Sequence, residues 1–215
     1  MSNVKIQLAL DRMTIEDCIT LVEQTKDYIH WIEIGTGVIK EYGMTVVRKM
    51  REHFPEKAIV ADMKTCDAGR HESLQAFNSG ANITTVMGFS SNATIKQCLE
   101  IAAEKSGEVM IDLLGIESAE RVREIHSLGA RLFCLHVGKD MQQDGQLATS
   151  TLLQLVEGLD DIQIAVAGGV NDEITPSLLK AGVEVIIVGS FITGSINPET
   201  SAILLSNIID EYNQE

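Results

Sequence analysis

Ala61-Asp62-Met63-Lys64-Thr65-Cys66-Asp67-Ala68-Gly69 runs on from the apolar Ala58-Ile59-Val60. The apolar run reads as a buried strand. Asp62 and Lys64 are two apart, so on that strand they share one face. Opposite charges turned inward from a buried strand are costly unless they are paired or functional. Asp67 lies past the strand end, where the chain turns towards a helix. The stretch therefore sets an Asp-Lys-Asp row at the C-terminal lip of a strand. In α/β proteins that lip is where ligands bind. The plainer alternative is a structural ion pair followed by a helix N-cap.

The same unit, a short apolar strand and then a helix, repeats on both sides. Strands are expected at Ile6–Leu10, Trp31–Gly35, Ala58–Lys64, Asn82–Gly88, Glu108–Gly115, Arg131–Gly138, Ile162–Gly169 and Val183–Gly189. Helices are expected between them: from Thr14, over Val38–Phe54, over His71–Asn78, over Ala93–Lys105, from Ser118, over Ser150–Leu159, from Thr175, and over Pro198–Tyr212. Thr14 reads as an N-cap with Asp17 at the capping-box position. Strict alternation with short connections implies parallel strands and right-handed crossovers. Eight units is the number that closes a (β/α)8 TIM barrel, one α/β domain over residues 1–215. A doubly wound open sheet is the alternative.

The net charge of −14 argues against nucleic acid or an anionic membrane as partner, since both need a cationic footprint. It leaves room for a small anionic substrate held by backbone N–H groups. Cys18, Cys66, Cys98 and Cys134 are scattered without a C-x-x-C pair, so free and mostly buried thiols are expected. The N-terminal residues lead straight into a strand, and no apolar run has the length of a membrane span. A cytoplasmic protein is the expectation.

Polar residues near strand ends make up the candidate site: Asp11, Glu33, Asp62, Lys64, Asp112 and His136. Singly, each has an ordinary alternative: Asp11 as a helix cap, Glu33 as a partner for Lys64, His136 as a satisfied core histidine. In a barrel all six would converge on one mouth. Glu33 and Asp62 are hard oxygen ligands with no Cys/His cluster beside them, which suits Mg2+ or Mn2+ rather than Zn2+. Gly168-Gly169 and Gly189-Ser190 follow the last two expected strands, where barrel enzymes often bind phosphate.

Together, Asp-x-Lys-x-x-Asp at positions 62–67, Asp11 and the two glycine turns resemble the orotidine-phosphate decarboxylase superfamily. Within it, Leu8-Ala9-Leu10-Asp11, Glu33-Ile34-Gly35-Thr36 and Lys64-Thr65-Cys66-Asp67-Ala68-Gly69 are most similar to the 3-hexulose-6-phosphate synthases, with the 3-keto-L-gulonate-6-phosphate decarboxylases as close cousins. The resemblance implies an Mg2+-dependent homodimeric barrel in which Asp67 reaches the partner subunit's site. Asp112, Ala167 and Ser190 are synthase-like where the decarboxylases usually carry Glu, Thr and Arg. Lys139 departs from both patterns: a cation there would depress the pKa of His136 or contact an anionic intermediate.

The expected reaction is therefore a reversible aldol condensation of formaldehyde with D-ribulose 5-phosphate. Glu33 and Asp62 are expected to hold the metal and His136 to act as the base. Lys64 is expected to stabilise an enediolate, with Asp112 or His136 handling the alkoxide proton. Asp11 is expected to hold Lys64 or sugar hydroxyls, and Gly168, Gly169, Gly189 and Ser190 the phosphate. Decarboxylation of a 3-keto sugar-acid phosphate would pass through the same enediolate. A non-catalytic sugar-phosphate binder is the alternative from another class.

Overall fold

The computed structural model describes residues 4–144 and 150–214. The single-domain expectation also covered residues 1–3, 145–149 and 215, which lie outside the described residues. The elements run β1 (Lys5–Leu10), α1 (Ile15–Thr25), β2 (Trp31–Ile34), α2 (Thr36–Tyr42), α3 (Met44–His53), β3 (Ala58–Thr65), α4 (Gly69–Asn78), β4 (Ile83–Met87), α5 (Asn92–Lys105), β5 (Glu108–Asp112), α6 (Ala119–Ser127) and β6 (Leu132–His136). They continue with α7 (Lys139–Gln143), α8 (Ser150–Leu153), β7 (Gln163–Ala167), α9 (Thr175–Lys180), β8 (Val185–Val188), α10 (Ser190–Thr193) and α11 (Pro198–Gln214).

The strands follow in chain order and close, with β8 pairing back onto β1 through Lys5↔Val185 and Leu8↔Val188. Every pair is parallel, so the fold is a (β/α)8 barrel and the open-sheet alternative is discarded. Alternation along each strand builds two cores. Ile6, Leu8 and Leu10 face outward to the helices and are fully buried there. Trp31, Val60, Ile83, Met110, Leu132, Cys134, Ala165, Val185 and Ile187 face inward and fill the barrel. On β2, β3, β5 and β6 the residues nearer the C-terminal ends, Glu33, Asp62, Asp112 and His136, are polar instead and line a cavity.

Two helix expectations are corrected. The helix expected over Val38–Phe54 is broken at Gly43, whose φ of 60 and ψ of −157 only glycine adopts cheaply. The break lets α2 bury Val38 while α3 turns Val46, Val47 and Met50 into the core. The helix expected over Ser150–Leu159 covers only Ser150–Leu153. Beyond it the backbone makes tight i→i+3 turns at Leu155 and Val156 and reverses at Gly158 (φ 76). The short α7 and α10 were not anticipated, being too brief for a period to register. The Thr14 cap is present: its Oγ1 accepts the Asp17 N–H at 3.1 Å and donates to Asp17 Oδ2 at 2.7 Å. Cys18, Cys98 and Cys134 are buried free thiols and Cys66 is an exposed one. Among the described residues no helix is long and apolar enough to cross a membrane.

Candidate active site

A cavity of about 360 Å³ opens at the C-terminal end of the barrel. Asp11, Glu33, Asp62, Lys64, Asp112, His136, Lys139, Gly168, Gly169, Gly189 and Ser190 all line it, so eleven of the twelve residues singled out from the sequence converge there. Asp67 is the exception. It is exposed on the loop between β3 and α4, outside the cavity. Nor does it cap α4, whose N-cap is Ala68 in a left-handed conformation without a side-chain cap.

Asp112, at the end of β5, is the hub. Lys64 Nζ donates to its Oδ2 at 2.6 Å, the Leu114 N–H donates to Oδ1 at 2.9 Å, and His136 Nδ1 lies 3.0 Å from both oxygens. Burial would raise this carboxyl's pKa, but the hydrogen bond and charge of His136 and the Lys64 ammonium hold it well below the usual carboxylate range. Against an ionised Asp112, a neutral His136 ring would carry its proton on Nδ1 and its lone pair on Nε2. Lys64 is also 3.2 Å from Asp62 Oδ2. Burial opposes its charge, but Asp62 and Asp112 outweigh that and raise its pKa, so it stays an ammonium.

Asp62 accepts Thr85 Oγ1–H on Oδ1 at 2.8 Å and Thr36 Oγ1–H on Oδ2 at 2.7 Å. Glu33 accepts Gln7 Nε2–H at 2.6 Å. Burial, and then the Asp62 charge, push the Glu33 carboxyl up to about 7, against the pull of the Gln7 hydrogen bond. Three carboxylates thus face one ammonium in a largely buried site. That excess of negative charge is what a divalent cation relieves. Among the described residues no group of three His, Cys, Asp or Glu gathers at ligating distance. Glu33 and Asp62 both line the cavity, and their oxygen donors are of the kind that Mg2+ or Mn2+ takes.

Two pairings with Lys64 that the sequence left open are absent among the described residues. Asp11 does not touch Lys64: it accepts the Gly37 N–H near the start of α2 at 3.1 Å and pairs with Arg12 at 3.2 Å. Glu33 pairs with Gln7 rather than with Lys64. The turns after β7 and β8 meet on the cavity wall. Gly168 has φ 106, and a Cβ there would collide with the Val137 carbonyl oxygen, so the turn requires glycine. Lys139 opens α7 at the exposed rim.

Gln7, Thr36 and Thr85 were missed from the sequence. Gln7 and Thr85 carried a signal, since each is a polar residue at an inward position of an otherwise apolar strand. Thr36 stood in the quoted Glu33-Ile34-Gly35-Thr36 stretch but was given no role of its own.

Known proteins resemble the chain over nearly its whole length. The chain is 32% identical to the 3-hexulose-6-phosphate synthase of Bacillus subtilis over 207 residues, covering 96% of this chain and 99% of that one. It is 35% identical to the Mycobacterium gastri 3-hexulose-6-phosphate synthase over 200 residues, covering 93% and 96%. The solved 3-hexulose-6-phosphate synthase from Salmonella typhimurium superposes with a TM-score of 0.94 at 31% identity, covering 97% of this chain and 99% of that one. The sequence pattern of the orotidine 5'-phosphate decarboxylase / HUMPS family matches residues 4–203, and the chain belongs to that family.

Proposed function

We propose that this barrel is an aldehyde-lyase that joins formaldehyde to D-ribulose 5-phosphate, reversibly, giving D-arabino-hex-3-ulose 6-phosphate. The observation that carries the reading is the Lys64–Asp112–His136 chain beside Glu33 and Asp62 in one cavity, in a chain whose relatives are named for that activity. His136 Nε2 takes a proton from C1 of the sugar phosphate. Asp112 holds the imidazole in the tautomer that can accept it. The electron pair moves into a 1,2-enediolate, whose oxygen is stabilised by the Lys64 ammonium. C1 then attacks the formaldehyde carbon, a C–C bond forms, and the new alkoxide takes back the proton from His136. Asp112, ionised and saturated with donors, orients rather than transfers. Glu33 and Asp62 would hold Mg2+, which supplies Lewis-acid polarisation of the sugar carbonyl. The Gly168-Gly169 and Gly189-Ser190 turns grip the phosphate, and Asp11 and Lys139 close the rim. We place the reaction in a reducing cytoplasm, in keeping with the free thiols. We also infer a homodimer in which Asp67, outside its own cavity, completes the site of the partner subunit.

Formaldehyde consumption with D-ribulose 5-phosphate and Mg2+, with and without chelator, tests the reading. Chelator-sensitive loss of formaldehyde, without borohydride trapping of substrate on Lys64, supports it. Borohydride trapping would put an imine on Lys64 and overturn it. Lys139 favours a second reading, because a cation at the rim suits the carboxylate of a 3-keto sugar-acid phosphate. Release of CO2 from 3-keto-L-gulonate 6-phosphate without formaldehyde consumption would transfer the assignment to decarboxylation. Ligand-induced thermal stabilisation without either turnover would make the barrel a binder.

A further inference from the structure

β3 and β4 fall out of register at the site. Ala61 pairs with Thr84 and Thr65 with Val86, so four steps along β3 run beside two along β4. The surplus is absorbed at Asp62, Met63 and Lys64, and Lys64 sits at φ 46, a left-handed conformation uncommon for a residue with a side chain. Its N–H is not lost: Thr85 Oγ1 accepts it at 2.8 Å. The same hydroxyl donates to Asp62 Oδ1 at 2.8 Å. An amide can only donate and an ionised carboxylate can only accept, so the direction of the chain is fixed from Lys64 N–H through Thr85 to Asp62. Each bond polarises the other. Thr85 is buried and lines the cavity.

Both ends of this chain belong to the site. Asp62 is half of the candidate cation site, and Lys64 bridges Asp62 and Asp112. We propose that Thr85 is a positioning residue whose single hydroxyl locks the β3 bulge, so that the Lys64 ammonium lies between Asp62 and Asp112 and the Asp62 carboxylate is held for the cation. This rests on the reaction proposed above. The neighbouring Thr84 gives the contrast. Its hydroxyl makes only a long 3.4 Å bond to the Ala61 carbonyl and touches neither Asp62 nor Lys64, so it serves the ladder alone.

The test compares Thr85→Val, Thr85→Ser and the control Thr84→Val. It reads kcat and KM for formaldehyde fixation, together with amide hydrogen exchange at Lys64. Thr85→Val keeps the shape and removes both bonds. It is expected to lower kcat about 100-fold, the scale of a misplacement of about 1 Å, with KM for the sugar phosphate within about threefold. It should also speed exchange of the Lys64 N–H by about tenfold or more. Thr85→Ser should restore kcat to within about fivefold and recover the protection, and Thr84→Val should change neither. A wild-type kcat in Thr85→Val, equal losses in Thr85→Ser and Thr85→Val, or an unchanged Lys64 amide in Thr85→Val would each overturn the proposal. If Thr85→Val does not fold, Thr85→Cys, a weaker donor and acceptor of similar size, is read the same way. If the wild type consumes no formaldehyde, the reaction reading has failed, and the Lys64 amide still decides the role of Thr85.

Discussion

At the scale of single residues the site is an arrangement of compensated charge. Asp112→Asn keeps the shape of the hub but offers His136 an amide in place of a carboxylate. The imidazole then loses the tautomer that accepts a proton on Nε2, and Lys64 loses its closer anion. The expected result is a fall in kcat on the order of 1,000-fold with a melting temperature close to wild type, measured by steady-state kinetics and calorimetry. Glu33 makes the opposite point. Its carboxyl holds a proton up to about 7 in the folded chain, against an ordinary value of 4.5. The native state therefore binds the extra proton between those values. The stability this group contributes is complete below about 4.5 and is lost as pH rises through about 7. At about 1.4 kcal/mol per pH unit, the interval from 4.5 to about 7 is worth on the order of 3 kcal/mol. Without divalent cation, Glu33→Gln is expected to be more stable than wild type at pH 8 and indistinguishable from it at pH 4. It should also bind Mg2+ more weakly at pH 8 by titration calorimetry. Equal melting temperatures at pH 8 would remove Glu33 as a source of strain.

At the scale of elements the site is made by irregularities in a regular barrel: the β3 bulge, the left-handed Lys64, and the two glycine turns. Gly168→Ala puts a methyl group against the Val137 carbonyl at a φ of 106. It is expected to cost about 1–3 kcal/mol of stability and to raise KM for the sugar phosphate, while kcat with saturating substrate changes less. Thermal melts and saturation curves check this, and an unchanged KM would separate the turn from phosphate binding. At the opposite end of the barrel, His30 Nδ1 accepts the Ile6 N–H at 3.0 Å. Burial, and then Lys57 and Lys5, lower the pKa of this ring. It unfolds into a state that takes up protons more readily, so its stabilising contribution is present above about 6.5 and declines as pH falls below it. His30→Gln should flatten that part of the stability curve, as followed by urea unfolding between pH 5 and 8.

At the scale of the whole molecule the position of Asp67 decides whether one chain suffices. Among the described residues it makes no hydrogen bond or ion pair, and it stands outside its own cavity. If it serves a partner subunit, Asp67→Ala and Lys64→Ala homodimers should each be inactive. Mixing them under subunit exchange should restore about half the wild-type turnover per hybrid dimer, because one of the two sites is then intact. No recovery on mixing would return Asp67 to its own chain or remove it from the reaction. Much of this was legible in the chain. Alternating apolar strands and helices count out a closed barrel because burying both faces of a parallel sheet demands that pattern, and the polar Glu33, Asp62, Asp112 and His136 near the ends of their apolar strands are at the mouth. The break at Gly43 was not legible, since a helical period runs through a single glycine without interruption. Nor was the hub at Asp112, whose partners Lys64 and His136 come from other strands. The sequence by itself brought eleven of its twelve candidate residues to the mouth of the barrel, because period-two alternation is a local property of each strand. Only the tertiary structure decided which of them pair, which one stays outside and how Thr85 sets the bulge, because register between strands and closure of the barrel are long-range and set every one of those distances.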